Sequence, residues 1–413
     1  MKLEFRPGNR LQLLENGEAF YPAVFEAIGS AREEVLIETF ILFDDTVGRG
    51  LQRAVIEAAQ RGVRVDLTVD GYGSPSLSRE FIGAMTSAGA RFHVFDPTRR
   101  IFGLRAYPLR RLHRKIVAID GRVAFVGGIN YSEDHLASFG AMAKQDYAVR
   151  IEGPLAADIR AFVSRTLAPT RRSRFKWGRV RRGPAAADVP QVGTAEAAFV
   201  TRDNRRHRDD IERVYRTAIR SAREDVIIAN AYFFPGWRVL RDMVRAARRG
   251  VHVQLILQGQ PDMLYVRTAA RLLYPSLVKD GVQIYEYCRR PLHAKVAVVD
   301  GLWCTVGSSN LDPLSLSLNL EANVLINDRD FASDLRQRLL TLEREHCRLI
   351  RPGNLPRRTG WRYLLSALSY HVARRFPSWL QRLPGSVPRI RSFDAERGVE
   401  TVALHEPVEP EPR

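Results

Sequence analysis

Short apolar runs alternate with stretches of helical periodicity along most of the chain, and the whole alternation occurs twice. Val35-Leu-Ile-Glu-Thr-Phe-Ile-Leu42 and Val226-Ile-Ile-Ala-Asn-Ala-Tyr-Phe233 are apolar over a length that suits a buried strand. Each is followed by a helical pattern, Gly50–Gln60 or Val239–Arg248, that stops at a glycine, Gly62 or Gly250, suited to closing a helix. Val63–Val69 and Val251–Leu257 read as the next strands. This order predicts an α/β fold, each unit a mixed, mostly parallel sheet flanked by helices.

The two series are copies of one unit. Ser30-Ala-Arg-Glu-Glu-Val35 returns as Ser221-Ala-Arg-Glu-Asp-Val226, and Arg61-Gly-Val-Arg-Val65 as Arg249-Gly-Val-His-Val253. Anchors repeated in order at near-constant spacing mean duplicated domains. The expected organisation is a first domain over 1–168, a basic linker over 169–194 and a second domain over 195–351. The linker carries Arg171, Arg172, Arg174, Lys176, Arg179, Arg181 and Arg182. Residues 352–398 interleave arginine with Trp361, Tyr363, Phe376 and Trp379. That composition suits a helix on an anionic membrane, or a terminal helix packed on the protein's own core. A disordered tail is expected over 399–413. The basic, aromatic stretch before His113, absent from the second copy, reads as a loop at the site entrance or as plain surface.

Chemistry enters with a doubled triplet. His113-Arg-Lys115 is followed by Asp120, and His293-Ala-Lys295 by Asp300 at the same spacing. The chain has only six lysines, so finding two of them here is informative. On an extended chain i and i+2 share a face, which puts each histidine beside its lysine. Asp120 and Asp300 fall at an odd separation and precede Gly121 and Gly301, which predicts that they pin the turn at the strand end. A following strand delivers Gly127-Gly128-Ile-Asn130 or Gly307-Ser308-Ser-Asn310, read as a polar cradle in which backbone N–H groups, Asn130, Ser308 and Asn310 receive an oxyanion.

Each copy therefore offers half a site. Joined, the halves would place two imidazoles about one phosphorus: one attacks, and the other protonates the leaving alkoxide. Lysine is a poor metal ligand and no Cys/His/Glu cluster accompanies either triplet in the sequence, so neither metal nor cofactor is expected.

The formal charge of +18 and pI near 10.3 imply an anionic partner, nucleic acid or acidic membrane, although codon usage is an alternative source of part of the arginine excess. Three unpatterned cysteines read as free thiols of a reducing compartment. No apolar run reaches the ~20 residues of a membrane span and no apolar leader is visible, so a cytosolic or membrane-surface protein is expected.

The paired triplets and the Gly-Gly/Ser-x-Asn that follows resemble the duplicated signature of the phospholipase D superfamily. Gly71-Tyr-Gly-Ser74, Lys144-Gln-Asp-Tyr147, Asn230-Ala-Tyr-Phe-Phe-Pro-Gly236 and Asn310-Leu-Asp-Pro-Leu-Ser-Leu-Ser-Leu-Asn-Leu-Glu321 are similar to bacterial cardiolipin synthases of the B type, which lack amino-terminal spans. The resemblance implies phosphatidyl transfer between two phosphatidylglycerol molecules through a phosphatidyl-histidine. Its catalytic set would be His113, Lys115, Asp120, His293, Lys295 and Asp300, with His113 the nucleophile. Asp146 and Glu321, each about thirty residues downstream of a histidine, would orient the histidines. The implied setting is the cytoplasmic face of the bacterial inner membrane, peripherally, with anionic phospholipid and no nucleic acid as partner. The rival reading is a hydrolase or nuclease acting on other phosphodiesters.

Overall fold

The computed structural model describes residues 3–95, 100–101, 104–105, 111–167, 189–204, 206–260, 264–354, 389–394 and 398–403. The first half runs β1 (Arg6–Glu15), α1 (Asn16–Gly29), β2 (Glu34–Thr39), α2 (Thr46–Gln60), β3 (Arg64–Asp70), α3 (Arg79–Ser87) and β4 (Arg91–Phe95). A two-stranded ribbon, β5 (Arg100–Ile101) with β6 (Leu104–Arg105), precedes β7 (Ile116–Ile119), β8 (Val123–Gly127), β9 (Tyr147–Glu152) and α4 (Pro154–Leu167). The second half repeats this as β10 (Ala195–Arg202), α5 (Asp210–Ser221), β11 (Asp225–Asn230), α6 (Trp237–Arg248), β12 (His252–Gln258), α7 (Leu264–Lys279) and β13 (Gln283–Tyr287). It continues with β14 (Lys295–Val299), β15 (Trp303–Gly307), α8 (Pro313–Ser317), β16 (Glu321–Asn327), α9 (Arg329–His346) and β17 (Cys347–Leu349). A hairpin, β18 (Arg389–Asp394) and β19 (Gly398–Ala403), ends the described chain.

The sheets are mixed, but parallel pairing is confined to β2-β3-β4 and β11-β12-β13. The expectation of a mostly parallel sheet is corrected by β7 and β14. Each returns beside the central strand without a crossover helix, so β2 with β7 and β11 with β14 are antiparallel. Antiparallel pairing then continues the order from β7 through β8 to β9, and from β14 through β15 and β16 to β10. β1 spans both sheets, pairing with β9 over Arg10–Glu15 and with β10 at Arg6 and Asn9.

The apolar runs are continuous because both faces are covered. Leu36 of β2 and Ile227 of β11 enter one core shared by the two halves, together with residues of α4 and α9. Their neighbours Val35 and Ile37, or Val226 and Ile228, face separate outer cores under α1–α3 or α5–α7. Burying the large shared core fixes the halves face to face.

Two chain-end expectations change. The tail expected to be disordered from Val399 instead supplies β19, and the end of the 352–398 segment supplies β18, which pairs with β4. β4 would otherwise present an open edge, and His93 of β4 bonds Ser392 Oγ through Nδ1 (2.8 Å). Residues 355–388 and 395–397 of that segment lie outside the described residues, as do residue 168, 169–188 of the linker and most of the stretch before His113.

Candidate active site

The histidine-bearing arms end at the same edge of the fold, because β7 and β14 run antiparallel to β2 and β11 and start where those strands finish. Each arm docks on the other half. His113 N–H donates to the Leu320 carbonyl (3.0 Å) and Leu320 N–H to that of Arg111 (2.8 Å). In the mirrored arrangement His293 N–H donates to the Gln145 carbonyl (2.8 Å) and Gln145 N–H to that of Pro291 (2.9 Å). The next residues after Leu320 and Gln145 are Glu321 and Asp146.

The carboxylates therefore meet the histidines crosswise. His113 Nδ1 lies 3.0 Å from Glu321 Oε2, and His293 Nδ1 lies 2.6 Å from Asp146 Oδ2. The sequence reading paired carboxylates with histidines but implied partners downstream in the same half; the pairing is across halves. Lys115 Nζ donates to the His113 carbonyl (2.8 Å), and Lys295 Nζ to that of His293. Lys115 also packs over the Phe40 ring, 5.2 Å from its centroid, and that ring lies 4.9 Å from His113.

Three expectations for the neighbouring residues need correction. Asp120 and Asp300, grouped with the catalytic set by the resemblance, lie at the ends of the triplet strands, where their spacing puts them, and away from the imidazoles. Asp120 accepts the N–H groups of Arg32, Glu33 and Glu34, and Asp300 those of Arg223, Glu224 and Asp225. They pin the loops entering β2 and β11 from the left-handed conformation, at φ 50° and 53°. The glycine segments form no amide cradle either: Gly128 N–H bonds the Tyr147 carbonyl and Ser308 N–H that of Ala322. Their smallness serves packing, since a Cβ on Gly127 would meet Ala148 and one on Gly128 would strike the Asp146 carboxylate. Ser308 Oγ–H donates to Glu321 Oε2 (2.5 Å), while Asn130 and Asn310 accept N–H from Ile41 and Tyr232.

Known proteins match this architecture. The domain family described as cardiolipin synthase, PLD-like domain matches residues 24–161 and 215–342. Cardiolipin synthase B of Escherichia coli (strain K12) is 53% identical over 394 residues, 95% of either chain. Cardiolipin synthase A of Pseudomonas putida (strain W619) is 32% identical over 83% of this chain and 70% of that one. The chain belongs to the cardiolipin synthase family of the phospholipase D superfamily. It is accordingly a phosphatidyltransferase with a phospholipid substrate. A phosphatidylserine synthase of Haemophilus influenzae Rd KW20 shares the fold, with TM-score 0.65 at 14% identity over 91% of this chain and 95% of that one.

Within this family frame the two histidine–carboxylate pairs are unequal. Burial lowers the His113 pKa and the Glu321 carboxylate opposes that, while Lys115 adds to the lowering. Burial would raise Glu321, but His113, Lys115 and the Ser308 hydroxyl outweigh it, so Glu321 stays ionised. Asp146 is pushed by burial up to about 7 against the pull of Lys295, and burial together with Lys295 takes His293 well down. That second pair shares one proton near neutrality and titrates as a unit. Lys115 is brought by burial down to about 7, with Glu321 opposing and Lys295 adding.

One further residue, unremarked in the sequence, reaches this cluster. His135 is wholly buried, with its ring centroid 5.5 Å from that of His293. His135, Asp146 and His293 bring possible ligand atoms within 4.8 Å of one another, so a cluster does accompany one triplet. Lys144, Lys295 and Lys115 all bear on His135, with Asp134 opposing, and surroundings with three ammonium groups favour an anion over a cation. No signal marked His135, because its counterpart by the triplet offset is Ser315.

Proposed function

We propose that this chain transfers a phosphatidyl group from one phosphatidylglycerol to the hydroxyl of a second, giving cardiolipin and glycerol. The observation that supports the reading is the crossed pairing: each imidazole is held by a carboxylate of the other half, and each feels the lysine of the other triplet. With Nδ1 engaged by its carboxylate, each imidazole keeps Nε2 for chemistry.

His113, neutral and backed by an ionised Glu321, attacks phosphorus through Nε2. The shared proton of the His293–Asp146 pair moves to the leaving glycerol oxygen as the P–O bond breaks. The phosphatidyl-His113 that results is attacked by the terminal hydroxyl of a second phosphatidylglycerol, whose proton returns to His293. Lys115 and Lys295 offset the charge on the phosphoryl oxygens. Asn130, Asn310 and Ser308 act by holding the loops and Glu321.

The same strand edge supports action at a membrane surface. Phe43, Tyr72, Phe139, Met142 and Leu314 are exposed on segments that follow β2, β3, β8 and β15. Among the described residues no helix is long and apolar enough to cross a membrane. We place the chain peripherally, on the cytoplasmic face of the bacterial inner membrane.

The test is incubation of purified protein with phosphatidylglycerol vesicles, followed by mass spectrometry. Cardiolipin and glycerol should form, and His113→Ala or His293→Ala should abolish both products. Cleavage of DNA or RNA with no lipid turnover would sink the lipid reading in favour of a nuclease.

A further inference from the structure

We propose that His135 is a positioning residue for this reaction: its Nδ1–H supports the Asp146 carboxylate when His293 carries the proton, the service that the Ser308 hydroxyl gives Glu321. The inference rests on the roles proposed for His113 and His293.

The two carboxylates have different surroundings. Glu321 Oε2 receives the Ser308 hydroxyl as well as His113. At the matching position the first half has Gly128, where any Cβ would strike both Asp146 oxygens, so no hydroxyl can be placed there. Asp146 Oδ1 receives Tyr147 N–H (2.8 Å), and Oδ2 has His293. The missing donor has a substitute nearby. His135, on the short turn Glu133–His135, brings a ring nitrogen within 4.8 Å of an Asp146 oxygen and a His293 nitrogen.

The tautomer of His135 is fixed by its other bond. Nε2 accepts the Asn130 N–H at 3.3 Å, so in the neutral ring the proton sits on Nδ1. Nδ1 is buried without a hydrogen-bond partner. A buried donor left unpaired is costly, and such a group is expected to serve another state of the molecule. Here that state is the imidazolium–carboxylate pair, which exposes a full negative charge on Asp146. Lys144, Lys295, Lys115 and Asp134 face His135, and His293 sees the same three lysines and His135. Burial, with the lysines adding to it against Asp134, keeps His135 neutral, so it acts as a donor and not as a second proton store.

Three substitutions in the full chain separate this role from a structural one. His135→Gln can keep an amide oxygen on Asn130 N–H but offers no donor at the Nδ1 position. His135→Asn restores an N–H near Nδ1 and loses the acceptor; His135→Ala loses both. kcat and KM with phosphatidylglycerol are measured against pH, with melting temperature as control.

Loss of the donor weakens the ion pair, so His293 gives up its proton at lower pH. We expect His135→Gln and His135→Ala to lower kcat about tenfold with KM little changed, and the alkaline limb of the kcat profile to move down by about one pH unit. His135→Asn should recover most of both. Should His135→Gln be unfolded, the comparison of Asn with Ala still isolates the donor. Equal behaviour of Asn and Ala, or an unimpaired His135→Gln beside a damaged His135→Asn, would overturn the proposal and leave His135 only as a brace for Asn130. Failure of the underlying chemistry is read separately, as survival of activity in His113→Ala or His293→Ala.

Discussion

Glu321 stands 3.0 Å from Nδ1 of His113, a histidine of the opposite half, 208 residues away in sequence. The relation makes each imidazole depend on both copies of the repeat, and neither half alone holds an oriented histidine. Replacing Glu321 with Gln should lower kcat by roughly 10²- to 10⁴-fold, the usual range for loss of acid–base assistance. A double-mutant cycle is the check: Glu321→Gln should be strongly non-additive with Asp or Ala replacements at His113. Coupling of Glu321 to its own half's His293 instead would contradict the crossed arrangement.

Asp120 illustrates the opposite case, a signature residue that works on the backbone. Asp120→Ala removes the acceptor of three N–H groups at 2.8–2.9 Å. Loss of these charge-assisted bonds should cost about 2–3 kcal/mol of stability. Activity per folded molecule should survive at low temperature. Thermal melting alongside active-site titration measures the two effects separately.

Asp146 should show a conflict between stability and function. Its folded pKa of about 7 exceeds the ordinary 3.8, so the folded state holds an extra proton between those values. Its contribution to stability is thus fully present below about pH 4 and lost as pH rises through 7. Asp146→Asn, which has no such titration, should gain melting temperature relative to the parent at pH 8 compared with pH 4, while losing activity. Calorimetry at the two pH values decides it.

Gly128 and Ser308 occupy matching positions but should respond differently. Gly128→Ala drives a methyl into the Asp146 carboxylate and should displace it from His293, costing at least tenfold in kcat. Ser308→Ala removes one donor to an otherwise well-held Glu321 and should cost less. A Gly128→Ala enzyme with parental kcat would mean that Asp146 placement does not limit the reaction.

Phe139 and Met142, both about half exposed on the segment that leads to Lys144 and Asp146, should contact the bilayer. The double change to Ser should reduce sedimentation with phosphatidylglycerol vesicles and turnover of vesicle lipid. Turnover of a short-chain, monomeric phosphatidylglycerol should be unaffected. Leu302→Ser, at the opposite strand ends near Asp300, serves as the control.

The strands and helices of both copies were legible because their periodicity is a local property. β2 ends at Thr39 where the apolar run continues to Leu42, since Leu42 leaves the sheet to bridge Tyr131. α2 begins four residues before the periodic pattern because Asp45 accepts Gly48 N–H and caps it. β18 and β19 were not legible. β18 pairs with the edge of β4, some three hundred residues earlier, and β19 with β18, and no local pattern announces the first pairing.

The sequence by itself determined the duplication, the α/β character, the two imidazoles and two ammonium groups, and the identity of both orienting carboxylates. The imidazoles and ammonium groups follow from residue type and spacing along one strand, the duplication from repeated anchors, and the carboxylates from the family resemblance. Only the tertiary structure decided which carboxylate serves which histidine, which loops the signature aspartates hold, and that a third imidazole sits beside His293. The crossed pairing and the third imidazole depend on how the halves meet across a shared core, and the aspartate contacts on loops 75–88 positions away within the same half, none of which a local pattern reports.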